Sequence, residues 1–95
     1  MAGEFTAQMS VFKDRWRLYV VVFNTTEPWP TFHFDRPLPV PTITERSQAL
    51  SVLGFEPLPG SEWSWIEDSE IIDDPSSLVR LIAAIKVRSW SGVGA

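Results

Sequence analysis

Five of the chain's eight prolines fall between Pro28 and Pro41, in the stretch EPWPTFHFDRPLPVP. Proline fixes φ and has no amide proton, so prolines at this density do not belong inside a helix or a central strand. The run therefore divides the chain into two parts joined by an extended crossover. Spacing by two stiffens that crossover and removes alternate amides from any ladder. No two of these prolines stand three residues apart, so the segment lacks the PxxP spacing of a polyproline ligand. Pro41 holds Val40 extended and delivers the chain to Thr42.

Before the crossover the pattern has period two. In EFTAQMSVFK, Phe5, Ala7, Met9 and Val11 share one face, with Glu4, Thr6, Gln8 and Ser10 on the other, as in a half-buried strand. In WRLYVVVFN, Trp16, Leu18, Val20 and Val22 share one face, and Arg17, Tyr19, Val21 and Phe23 the other. The second strand becomes apolar on both faces, which predicts an interior position. A reversal at Asp14 and Arg15 makes the two a hairpin.

After the crossover, PTITERSQALSVLGFEP predicts a helix over about residues 43–53. Thr42 and Glu45 have the spacing of a capping box, and Gly54 and Pro57 stop the helix. Its expected stripe is Ile43, Leu50 and Leu53, widened by Ala49 and Val52. EWSWIEDSE predicts a strand with Trp63 and Trp65 on one side. For the last segment, alternation of Val79, Leu81, Ala83, Ile85 and Val87 against Arg80, Lys86 and Arg88 favours a strand. The alternative makes residues 75–86 helical, with Asp74 as cap and Pro75 in the first turn. The expected order is β–β–α–β–β, an α+β fold with one antiparallel sheet and the helix packed on one face. A single domain spans residues 1–95, with a disordered tail over about 90–95.

Composition excludes several functions. The chain has no cysteine, hence no disulfide framework and no thiolate chemistry. A net charge of −4 argues against a nucleic-acid partner, which requires clustered cations. No leader-like N-terminus and no apolar run of about 18 residues is present, so a cytoplasmic location without membrane contact is the default expectation. The glycines form no phosphate-binding loop, and no cofactor is expected.

The chemistry-bearing candidates are few. His33, the chain's one histidine, is the general-base candidate by residue type, and Asp35 follows it by two residues, a pairing that a small hydrolase or isomerase would need. A structural or solvent-facing histidine is the expected outcome. The acidic run EDSEIIDD lacks the glycine of a calcium loop and is expected to be a solvated connection facing Arg80, Lys86 or Arg88. No metal site is expected. Lys13, Arg15 and Arg17, with Arg80, Lys86 and Arg88, would form a basic strip containing Tyr19 and Phe23 if the second and last strands were neighbours. Such a strip suits an acidic peptide or, as another alternative, single-stranded nucleic acid. The residues expected to bind are Trp63, Trp65, Tyr19, Phe23, Arg17, Lys86 and Arg88.

Taken together, RWRLYVVVFN, ERSQALSVLGFEP, EWSWIEDSE and VRLIAAIKVRS resemble a family of small uncharacterised proteins from streptomycetes and related actinobacteria, a domain of unknown function. The resemblance spans about Phe5 to Arg88. It implies a bacterial cytosolic setting and transfers no activity to any residue. The functional expectation is a non-enzymatic protein-binding or adaptor module. A sheet covered by one helix leaves a second face, with Val21, Phe23, Ile82 and Ala84, for a homodimer or another protein.

Overall fold

The computed structural model describes residues 4–89; the expected tail at 90–95 lies outside the described residues. The elements are β1 (Glu4–Phe12), β2 (Arg15–Val21), β3 (Thr31–Phe34), α1 (Ile43–Leu53), β4 (Phe55–Pro57), β5 (Ser64–Ser69) and β6 (Val79–Ser89). All strand pairings are antiparallel. The sheet runs β3-β2-β1-β6-β4, and β5 also pairs with β6. Ala83 pairs with both Met9 and Trp65, and Val87 with both Phe5 and Pro57. Consequently β4 and β5 share the edge of β6 that faces away from β1.

The α+β class, the single antiparallel sheet and the helix bounds agree with the sequence reading. The β–β–α–β–β order requires correction, because β3 and β4 are additional strands. β3 is TFHF, set between Pro30 and Pro37 within the crossover. Phe34 is buried and Phe32 packs against the core, while His33 faces outward. Both extra strands lie at sheet edges, where flanking prolines leave no ladder partner unsatisfied. The helical alternative for residues 75–86 is not adopted, since Val79–Ser89 is one continuous strand. The β1–β2 reversal sits at Lys13–Asp14, one residue earlier than expected, with φ of 53° and 62°. Two consecutive left-handed residues match the twist of a two-residue hairpin, although neither is glycine.

The core lies between α1 and one face of the sheet. Ala7, Met9, Leu18, Val20, Ala83 and Val87 are fully buried there, with Ala49 and Leu50 from the helix. The expected helical stripe is partly corrected: Ile43 and Val52 are exposed, and Arg46 is buried in their stead. Arg46, Ala49, Leu50 and Leu53 form a consistent stripe at helical spacing. Its first member is passed over by a hydrophobicity pattern because it carries a charge.

The crossover positions the helix through polar contacts. Trp16 Nε1 donates to the Pro37 carbonyl at 2.8 Å. Arg36 donates twice to the Glu45 carboxylate, at 2.6 and 3.0 Å, and once to the Pro39 carbonyl at 2.9 Å. Glu45 also accepts from the Thr42 amide at 2.9 Å, completing the capping box. The same carboxylate thus closes the helix start and anchors the strap.

These bonds pull Glu45 down from the ordinary 4.5 to about 2, chiefly through the Arg36 guanidinium and then the Thr42 amide. Folding therefore favours the charged form. The stabilisation is complete above pH 4.5 and is lost as pH falls toward about 2. We expect Glu45→Gln to melt below the wild type at pH 7, with the difference shrinking between those two pH values. Thermal melts at half-unit pH steps test this. A constant difference down to pH 2 would mean that the carboxylate's charge is not what matters.

Candidate docking surface

An 11-residue helix is about 16 Å long, whereas 11-residue β6 extends about 36 Å. One helix cannot cover that strand. The uncovered end begins where the β1–β6 ladder stops, at Met9↔Ala83. Beyond that point β1 continues to Phe12 and β6 begins at Val79, but the two are not paired. β6 is held there by β5 alone, in register from Ser64↔Ala84 to Ser69↔Val79. The β5–β6 ribbon is therefore a two-stranded arm diverging from the β1–β2 hairpin.

Between the hairpin and the arm lies a notch of about 630 Å³. Val11, Phe12 and Trp16 form its hairpin wall, and Leu78, Val79 and Leu81 its arm wall, with Lys13, Glu70 and Arg80 also lining it. The arm is apolar on both faces. Trp65, Val79 and Leu81 lie on the helix side, Ile66 on the other, and Ile71, Ile72 and Leu78 at the end. With Val11 and Phe12 these side chains are 36–85% exposed.

The connecting turn of the arm is well hydrogen-bonded. Glu70 N–H donates to the Leu78 carbonyl at 2.8 Å, and the Ile71 amide to Ser77 Oγ at 3.1 Å. Asp74 Oδ1 accepts from the Ser76 hydroxyl and amide at 2.6 and 3.0 Å. Those bonds, the hydroxyl's first, hold the Asp74 carboxyl below its usual range. A fixed turn thus presents two isoleucines to solvent.

The expected binding residues divide between two faces. Arg17, Tyr19, Lys86 and Arg88 share the face away from the helix, as alternation predicted, and Phe23 lies beyond β2, 78% exposed. They do not form a continuous basic strip, because β1 lies between β2 and β6 and inserts Thr6, Gln8 and Ser10. Lys86 Nζ donates to Thr6 Oγ1 at 3.3 Å, and Arg88 Nε to Glu56 of β4 at 2.6 Å. The Arg17 guanidinium lies 4.3 Å from the Phe12 ring centre and 5.5 Å from that of Tyr19. Tyr19 stacks on Trp29 at 6.2 Å.

Trp63 and Trp65 lie on the helix side, and the Arg46 guanidinium is 5.1 and 5.4 Å from their ring centres. Trp65 also meets Trp16 edge to face at 5.9 Å. Asp35 accepts from Arg15 at 3.3 Å, and exposed His33 stands opposite Arg17 on the β3 edge. Within the acidic run, Asp68 lies directly across from Arg80. Sequence reasoning missed Ile71, Ile72 and Leu78. Their signal was large aliphatics inside an acidic connection, where no core requires them.

No helix among the described residues is long and apolar enough to cross a membrane. Neither a curated protein nor a solved structure matches the chain. A family model does, over residues 3–95, in keeping with the resemblance seen across the strand and helix motifs. The chain belongs to the Family of unknown function (DUF6303).

Proposed function

We propose that this chain is a non-enzymatic protein-docking module that acts through the notch and the β5–β6 arm. The observation that supports the reading is the arm itself, a ribbon with large aliphatic side chains exposed on both faces and at its end. A two-stranded ribbon is marginal in water unless something packs on it. Exposed apolar surface of this extent marks interaction sites on soluble proteins. The hydrogen bonds of the turn at residues 70–78 hold the two strands of the arm together at its end, which reduces the ordering entropy that opposes binding.

The test is photo-crosslinking in the source cell, with a photoreactive residue at Ile72 or Leu78 and a control at exposed Gln48 of α1. The expected result is a discrete adduct from Ile72 and Leu78, identified by mass spectrometry and missing from Gln48. Absence of any protein adduct at both arm positions would overturn the docking reading.

A further inference from the structure

We infer that the occupant of the notch is a second copy of this chain, docked about a two-fold axis so that each arm enters the other's notch. The inference rests on the docking reading and adds the identity and geometry of the partner. Three observations carry it.

The first is area. The exposed large aliphatic and aromatic side chains of the arm and notch present on the order of 900 Å² per copy, close to the roughly 800 Å² each partner buries in a standard interface. The second is charge. The arm carries Glu67, Asp68, Glu70, Asp73 and Asp74, of which Asp68 faces Arg80. The hairpin carries Lys13, Arg15 and Arg17, which outweigh Asp14. The arm as a whole is therefore net acidic and the hairpin net basic, while the notch between them is lined by Lys13 and Asp14 on the hairpin side and by Glu70 and Arg80 on the arm side. A two-fold operation then brings acidic arm to basic hairpin twice, as a self-complementary interface requires. The third is shape. The radius of gyration is 14.1 Å and the longest extent 48 Å, against about 12 Å expected for a compact chain of this length. A chain more extended than its length requires is suited to a clasped pair, in which two copies share one compact outline.

The test uses sedimentation velocity with light scattering at about 50 µM, where the wild type is expected to run at twice 10.8 kDa. Lys13→Glu with Arg15→Glu reverses the hairpin; Glu67→Lys with Glu70→Lys reverses the arm. Each reversed protein alone is expected to dimerise at least about 30-fold more weakly, since like charges then face each other at both contacts. An equimolar mixture of the two is expected to restore dimers, because both contacts become complementary. Leu78→Ser alters an exposed side chain outside the core and is expected to yield a folded monomer that melts where the wild type melts once diluted below its dimerisation range.

A wild type that stays monomeric at about 200 µM would overturn the second-copy inference by placing any self-association beyond useful affinity. The docking reading would then survive if Ile72 and Leu78 crosslink a different protein. A dimer that tolerates Leu78→Ser and both reversals would overturn the arm-in-notch geometry. Folded reversed proteins whose mixture fails to restore dimers would overturn it as well.

Discussion

Trp16→Ala is expected to remove about 3–5 kcal/mol of stability, the range for truncating a buried tryptophan. Trp16 is 5% exposed and lies where three parts of the fold meet. Its amide donates to the Arg36 carbonyl at 3.3 Å and its indole N–H to the Pro37 carbonyl at 2.8 Å, fixing the strap. Its ring meets Trp65 edge to face, fixing the base of the arm. In register it stands between Val11 of β1 and Phe34 of β3. A chain of this length has only about 5–10 kcal/mol in total, so the melting temperature should fall by on the order of 20 °C. Trp16→Phe keeps a ring against Trp65 and loses the N–H bond. Pro37 is exposed and its carbonyl can turn to water, so that variant should cost about 1–2 kcal/mol. Urea denaturation followed by far-ultraviolet circular dichroism separates the two. Alanine and phenylalanine variants of equal stability would show that ring packing contributes little.

What could be read from the sequence follows from how local each signal was. β1, β2 and β6 are long enough for period two to repeat several times, and the helix carries its own start and stop in Thr42, Glu45 and Gly54. The strand reading of the last segment rests on alternation through Val87 and Arg88, and that alternation is what buries Ala83, Ile85 and Val87. β3 and β4 have four and three residues, too few to establish a period. They are strands because β2 and β6 offer them edges, a tertiary fact absent from either segment. Face membership was likewise legible for Arg17, Tyr19, Lys86 and Arg88, since it depends only on parity. Strand order was not, and with β1 between β2 and β6 the basic strip dissolved into separate contacts. The arm is hidden from a local reading because acidic neighbours make Ile71, Ile72 and Leu78 look like part of a solvated loop. Their exposure follows from where β1 and β6 diverge, which no local pattern encodes.

Arg46 is where sequence and structure differ most, and Arg46→Ala is expected to cost about 2–4 kcal/mol through a cavity and a buried carbonyl left without its donor. The residue is 6% exposed, and its Nε donates to the carbonyl of buried Pro41 at 2.9 Å. Burial lowers its pKa, but an arginine remains charged at neutral pH. Among the described residues no carboxylate forms an ion pair with it, and its place near the start of α1 sets it against the helix dipole. The faces of Trp63 and Trp65 are what offset that charge, an arrangement worth about 2 kcal/mol when desolvated. The substitutions should therefore rank by how they treat burial rather than by charge. Arg46→Met keeps the volume, removes the desolvation cost and loses one hydrogen bond, for a net loss of about 1 kcal/mol. Arg46→Lys buries a compact, strongly hydrated ammonium in place of a weakly hydrated planar guanidinium, and should fall between methionine and alanine. Urea denaturation of the three variants gives the order, with indole emission reporting exposure of Trp63 and Trp65. Lysine outranking methionine would show that charge, not shape, is what the two indoles favour. Methionine as damaging as alanine would place the stabilisation in the Pro41 bond instead.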